Sequence, residues 1–384
     1  MPGKSKEEKR YKGLTGNGSN RLGRDLPPVA PTRHPSTLVR AHGRIDLEAP
    51  LALLRFADDG SSNSSVSRFR LTLAVFFVLL FGSQPILAQS PSNESARIQS
   101  RMDEVARGLA SQPRLKNVSE QKRQQLTEFV VGNMLFVFLH EMSHALVHEM
   151  EIPVLGREED AADAFASLTM LKMGTKMSHR VLVEASKGWF LMQKRDQREG
   201  TQPDAYDSHG LDEQRAYQIV CFMVGSDKEM FKDLANETNL PEERQETCER
   251  DYKHASWSWE KSLQPHRRTA EQPRQQIEVT YWPGKGEFEV YEQAFRTIQI
   301  LEMVANHAAE TYVWPHPIGL EMATCGESAA QWQTSNRKLF LCYELAQEFA
   351  QLYRDYGQDW KTPPKEKWWQ PKWWRAKEGQ ERKQ

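Results

Sequence analysis

The chain has 384 residues, with 51 Lys and Arg against 52 Asp and Glu, a formal net charge of -1 and a hydrophobic fraction of 39%. This balance of charge gives no reason to expect nucleic acid as a partner, and the length allows one large domain or two modest ones. The low hydrophobic fraction predicts long polar ends around an ordinary core.

The N-terminal region predicts a disordered extension followed by an export signal. Residues 1–65 are rich in Gly, Ser, Arg and Pro and show no helical or strand period, and a mis-assigned translation start would explain such an extension. Residues 66–88 combine basic residues, an apolar run and a small exit residue, Ala88, which is typical of a secretory signal peptide. The alternative is an uncleaved anchor in the inner membrane formed by residues 71–88. Both interpretations predict an exported protein, periplasmic, secreted or anchored.

Residues 92–357 are predicted to form one domain, mainly α with a small β component (α+β). A buried apolar helix is expected over 133–150, and a second over 158–173, where Gly174 can cap the last turn. Further helices are predicted near 180–195, 212–224 and 290–312. Strands over 277–282 and 287–291 are predicted to pair as a hairpin around a Pro-Gly-Lys-Gly turn, and a strand over 338–343 to lead into a last helix.

The first buried helix carries the pattern His140-Glu141-Met142-Ser143-His144. Residues four apart share one helix face, so both imidazoles can reach one ion. Two His and a Glu inside an apolar helix are costly without a compensating partner. The pattern therefore predicts a catalytic site for one Zn²⁺, with His140 and His144 as ligands and Glu141 as the general base. The alternative is a surface helix with incidental His and Glu.

A catalytic zinc needs a third protein ligand and one open position. The second helix offers Glu159, and Asp163 four residues later shares its face, so we predict Glu159 as the ligand and Asp163 as the residue that orients a ligand His. Glu158 is the rival ligand, although it would leave Asp163 five residues on. A third His six residues after the second is excluded because Met150 stands there. His148 is interpreted as an ordinary polar residue.

His140–His144 together with Glu159–Asp163 resembles the glutamate-ligand zinc peptidases, and residues 159–166 are similar to the membrane-associated prenyl-protein and heat-shock peptidases. Those enzymes carry a later His followed, six residues on, by Arg, and this chain has His209 and Arg215 without the usual Pro after the His. The resemblance implies that His209 or Arg215 stabilises the oxyanion during catalysis. A loop or capping role for His209 and a salt bridge for Arg215 are the alternatives.

A narrower resemblance, to a bacterial metallopeptidase family of unknown function, runs from about Phe129 to Glu344. It is carried by residues 152–159, by 209–215 with Cys221, and by 325–326 and 341–344. It implies a zincin-like metallopeptidase core. Together with the metal-site pattern and the export signal, this predicts an enzyme that hydrolyses peptide bonds of a peptide or protein substrate in the cell envelope or outside the cell. The alternatives are a zinc-binding envelope adaptor with little turnover and a zinc hydrolase acting on a non-peptide amide.

Four cysteines, Cys221, Cys248, Cys325 and Cys342, follow the predicted signal segment without Cys-x-x-Cys spacing. An even number in an exported chain favours disulfides over a zinc knuckle or a redox pair. The pairing Cys221–Cys248 with Cys325–Cys342 closes the shortest loops and is preferred among three connectivities, with buried free thiols as the alternative.

Residues 358–384 form a basic tail that is rich in Trp, and we predict that it is disordered. Trp beside Lys suits the bilayer interface, so contact with a membrane surface is one expectation. The alternative is that the Trp pairs touch the domain. The sequence gives no oligomeric state.

Overall fold

The structure is a computed structural model that describes residues 91–201 and 207–357. The predicted extension over 1–65, the signal segment over 66–88 and the tail over 358–384 lie outside the described residues. The described elements, in chain order, are α1 Pro91–Gly108, α2 Glu120–Glu149, α3 Glu158–Met173, α4 Lys176–Glu199, α5 Asp212–Ser226, α6 Lys228–Glu237, α7 Glu242–Leu263, β1 Glu278–Tyr281, α8 Glu289–Ile298, α9 Ile300–Thr311, β2 Gly319–Ala323, β3 Ala330–Gln333, β4 Lys338–Cys342 and α10 Tyr343–Leu352. The predicted fold class, mainly α with a small β component, is confirmed.

Helix α2 is the central element, and it packs against α1, α3, α4 and α10. It begins after Ser119, whose hydroxyl accepts a hydrogen bond from the Lys122 N–H, as an N-cap residue does. Its apolar stretch has the length and composition of a membrane span, but 83% of that stretch is buried inside the molecule. Such burial is typical of a helix in the core of a folded domain. The prediction placed the start of α2 too late because the first turns are polar and do not contribute to the apolar pattern.

Helix α3 has the predicted bounds, Glu158–Met173, with acids in its first turn and Gly174 in the left-handed conformation after its last. It packs against α2, and its residues Ala162 and Ala166 are fully buried. Side chains from the two helices meet where Glu159 and Asp163 of α3 reach His140 of α2.

The sheet has the order β1-β2-β4-β3, in which β2 is parallel to both β1 and β4, and β3 is antiparallel to β4. The predicted hairpin is wrong, because β1 pairs with β2 and residues 289–298 form the helix α8. A short apolar run does not distinguish a strand from a helix segment, and Phe295 and Ile298, three residues apart, form the buried face of α8. The helix predicted over 290–312 is divided at Gln299, where φ is 62°.

Two disulfides are present with the predicted pairing. Cys221–Cys248 joins α5 to α7, and Cys325–Cys342 joins the segment after β2 to the end of β4. The first therefore links α5 and α7, two helices that pack against α3, and the second links two segments of the sheet region.

Candidate metal centre

The three predicted ligands converge where α2 and α3 meet. The Nε2 atoms of His140 and His144 lie 3.2 Å apart. The Oε2 atom of Glu159 lies 3.1 Å from His140 Nε2 and 3.4 Å from His144 Nε2. The i, i+4 spacing on α2 sets the two imidazoles side by side, and the first turn of α3 brings the carboxylate to both.

A chain of buried contacts stands behind His140. Its Nδ1 donates to Asp163 Oδ1 over 2.8 Å, a contact of the kind that orients a metal-binding His. Arg215 holds the same carboxylate with two hydrogen bonds, Nε to Oδ2 at 2.7 Å and Nη2 to Oδ1 at 2.8 Å. The guanidinium carbon of Arg215 lies 3.6 Å from the centre of a Trp189 ring. The ring orientation of His140 is therefore fixed from α3, α5 and α4.

Arg215 was a candidate for oxyanion stabilisation, but the structure commits its guanidinium to Asp163. Its side chain is 6% exposed, and the carboxylate that it contacts is 5% exposed. A donor that is buried behind a ligand and already paired with an acid is not aimed at a reacting carbonyl. Arg215 therefore contacts the centre through Asp163 and His140.

Glu158, the rival of Glu159, lies behind the other imidazole. Its Oε1 is 2.6 Å from His144 Nδ1. The two consecutive acids therefore have different contacts, Glu159 at the centre and Glu158 at the outer nitrogen of His144. Sequence spacing alone treated them as competitors for one position.

His209 also reaches the centre. Its Nε2 lies 2.9 Å from Glu159 Oε2, and its ring stacks on that of His140 at 6.2 Å between centroids. Its Nδ1 faces Asp207 Oδ1 at 3.1 Å. The family resemblance indicates His209 as an oxyanion donor and gives no role to Asp207. The signal for Asp207 in the sequence is an acid two residues before a candidate His.

The ionisation of these groups reflects their crowding. Burial opposes protonation of His144, but the hydrogen bond to Glu159 and the charge of Glu141 raise its pKa to about 9. The pKa of His140 is also raised despite burial, by Asp163 and then Glu159. Burial works to raise the pKa of Glu159, yet its hydrogen bonds to His140 and His144 hold it well below the usual range. The surrounding carboxylates therefore favour a positive charge at this centre.

The donor set fits Zn²⁺, which is bound by imidazole nitrogen and carboxylate oxygen. His140, Glu159 and His209 each offer a ligand atom within 4.8 Å of the others, and His144 Nε2 adjoins the first two. Glu141, 8% exposed, follows His140 directly on α2. The centre thus combines metal-binding donors with a neighbouring carboxylate, Glu141, whose charge acts on His144.

In the part of the chain that the structure describes, one other group of ligand atoms is close enough for a metal: Cys325, Cys342 and Glu344. There the two sulfurs form a disulfide, and the Glu344 carboxylate accepts hydrogen bonds from the N–H groups of Cys325 and Gly326. These contacts explain that cluster, because they hold the loop at Cys325 and Gly326 against the end of β4 and the start of α10.

Comparison with known proteins finds a family model with the description "Putative metallopeptidase", which matches residues 101–263 and 283–370. The two matched segments together cover well over half of the chain and include every residue of the centre. No curated protein and no solved structure matches the chain.

Proposed function

Since the chain belongs to the family described as "Putative metallopeptidase", we propose that it is a zinc-dependent peptidase. The observation that carries the proposal is the approach of two imidazole nitrogens, His140 Nε2 and His144 Nε2, to one oxygen of Glu159. In this proposal these three residues hold one Zn²⁺, and Asp163 and Glu158 orient the two imidazoles through their outer nitrogens.

A bound Zn²⁺ would supply a Lewis acid and would lower the pKa of a water molecule to about 7. Glu141, one residue from His140, is the proposed general base. It accepts a proton from the water that adds to the peptide carbonyl, and it delivers that proton to the amine nitrogen as the C–N bond breaks. Its low exposure keeps bulk water from competing for the carboxylate.

We place this activity outside the cytoplasm. Two disulfides indicate an oxidising environment, which is that of the periplasm or the extracellular space. The predicted signal segment over 66–88 agrees with export, whether it is cleaved or kept as an inner-membrane anchor. The substrate is then a peptide or protein of the envelope or the surroundings.

The test compares Glu141→Gln with Glu120→Gln, an exposed acid in the first turn of the same helix. Both variants should retain zinc by elemental analysis. Cleavage of a mixed peptide library, followed by mass spectrometry, should fall by about 10²–10⁴-fold in Glu141→Gln and stay unchanged in the control. Full cleavage by Glu141→Gln would contradict its role.

The metal ligands are tested separately with His144→Ala. The affinity for zinc, measured by competition with a chelator, should fall clearly in this variant, because one of the three proposed ligands is lost. Equal zinc affinity in His144→Ala and in the natural protein would remove the basis of the site.

A second function, a zinc-binding envelope adaptor with little turnover, is favoured by one observation. His209 Nε2 brings a fourth donor to the centre, and sites with four protein donors are usually structural. Natural protein that binds zinc and cleaves nothing in the peptide library would support the adaptor.

A further inference from the structure

Three imidazoles around Glu159 share one arrangement. Each has its Nε2 within 3.4 Å of Glu159 Oε2, at 3.1 Å for His140, 3.4 Å for His144 and 2.9 Å for His209. Each also has its Nδ1 beside a carboxylate oxygen, from Asp163, Glu158 and Asp207 respectively. A carboxylate at the outer nitrogen is the usual partner of a metal-bound His, because it fixes the tautomer and directs the other nitrogen to the ion. His209 therefore has the surroundings of a ligand.

The contacts that hold His209 differ from those behind His140. The Asp163–Arg215 pair is buried, with both side chains at 6% exposure or less. Asp207, at 33% exposure, accepts from both the backbone N–H and the ring of His209. Ion pairs that are open to solvent are weak, whereas buried pairs resist separation. The contact of His209 with Asp207 is therefore easier to break than the buried contacts that hold His140.

The backbone beside His209 is held in the same way. Arg157 Nη1 donates to the His209 carbonyl over 3.1 Å, and its Nε donates to Asp160 over 2.9 Å. The side chains of Arg157 and Asp160 are about half exposed, at 49% and 54%. These bonds dock the His209 segment on the first turn of α3 through solvent-accessible contacts.

We propose that His209 is a displaceable fourth ligand, which closes the metal centre in the resting protein and leaves it when a substrate or inhibitor oxygen takes its place. This inference rests on the proposed zinc peptidase. It explains how a site with four protein donors can belong to a hydrolase, which needs one position open. It also predicts a resting state that resists small oxygen ligands.

The first experiment counts imidazoles on the metal in the zinc-loaded protein by X-ray absorption at the zinc edge. The natural protein should show three imidazoles and His209→Ala two. The control is His148→Ala, a half-exposed His on α2 that contacts Glu149 outside the cluster, and it should keep three. Two imidazoles in the natural protein, unchanged by His209→Ala, would overturn the proposal.

The second experiment measures binding of acetohydroxamate, an oxygen-donor probe, to the cobalt-substituted protein by its visible spectrum. If His209 occupies the fourth position, its removal should tighten the apparent Kd by about tenfold or more, since the open fraction of sites sets the apparent affinity. Asp207→Ala removes the acceptor that holds His209 and keeps all four donors, so it should tighten binding to a smaller extent. An unchanged Kd in both variants would overturn the proposal.

These outcomes separate this proposal from the one on which it rests. Zinc bound through two imidazoles, with probe affinity independent of His209, leaves the peptidase standing without a fourth ligand. Zinc absent from the natural protein removes both proposals.

Discussion

Replacing Arg215 with Met is the sharpest test of how the centre is supported. Met keeps most of the length and apolar volume of the side chain but removes the guanidinium. The Asp163 carboxylate then loses the hydrogen bonds from Arg215 Nε and Nη2, at 2.7 and 2.8 Å, and keeps the ring of His140. The variant therefore leaves a buried acid with its main countercharge removed.

The magnitude follows from burial. Breaking a buried ion pair by removing one partner destabilises a protein by about 3–5 kcal/mol, because the remaining charge is uncompensated. The contact of Arg215 with the Trp189 ring is lost as well, which adds about 1 kcal/mol. We expect a loss near the upper end of that range. A misplaced His140 should also weaken zinc binding by about 10–100-fold.

The pH dependence gives the sign of the effect. Burial raises the pKa of Asp163, but the charge and hydrogen bonds of Arg215 lower it well below the usual range. An acid with a lowered pKa in the folded state contributes stability above its unfolded pKa and loses it as pH falls. The difference in stability between the natural protein and Arg215→Met should therefore be fully present near neutral pH and shrink as the pH falls below ~4.

The assay is urea unfolding of the metal-free proteins, followed by far-UV circular dichroism. The control is Lys253→Met, which breaks an exposed i, i+4 pair with Glu249 on α7 and should cost about 0.5 kcal/mol or less. A loss below about 1 kcal/mol for Arg215→Met, within the range of exposed pairs, would refute the view that this contact supports the centre.

Three further predictions concern the scaffold. Gly225→Ala would place a Cβ 2.3 Å from the carbonyl oxygen of Cys248, so we expect a loss of about 1–3 kcal/mol from forcing α5 and α7 apart, and an unchanged Tm would contradict the tight contact. Burial raises the pKa of Asp212 to about 6. Ionisation of this carboxyl therefore lowers the stability of the protein as the pH rises from ~4 to about 6. Asp212→Asn should have a higher Tm than the natural protein at pH ~8 but not at pH ~4. An equal Tm difference at both pH values would show that the carboxyl is not held in this way. Replacing Cys221 and Cys248 together with Ser should cost about 3 kcal/mol, because their bond closes a loop of 27 residues; calorimetry should show the loss, and dithiothreitol should not lower the Tm of the double variant further through this bond.

The sequence predicted the structure correctly where the informative residues all lie within one helix. The bounds of α3 followed from acids at its start and Gly174 at its end, and the shared face of His140 and His144 followed from helix geometry. The hairpin failed because the partner of β1 is β2, about forty residues away, and no short-range pattern contains that pairing. Strands β2 and β3 and helix α6 were missed for a related reason, since each is short and defined by its neighbours.

Residue spacing could not predict, for a different reason, that Glu158 and Glu159 contact different atoms of the centre. Consecutive residues on a helix differ in direction by roughly 100°, so only the rotation of α3 against α2 decides which acid faces the centre. That rotation is set by the tertiary packing of α3 against α2 and its other neighbours. Spacing to Asp163 favoured Glu159 and gave no role to Glu158, which the structure places on His144.

The least predictable feature is that three acids, Asp163, Glu158 and Asp207, each contact the outer nitrogen of a different imidazole. Around a single point the chain gathers five acids, Glu141, Glu158, Glu159, Asp163 and Asp207, and one buried guanidinium, Arg215. So many carboxylates at one place are unfavourable unless cations accompany them. The acids raise the pKa values of His140 and His144, so protonated imidazoles can meet part of that requirement. A divalent ion meets the same requirement with fixed geometry, so the charge of the cluster, and not the five-residue motif alone, favours a metal at this point.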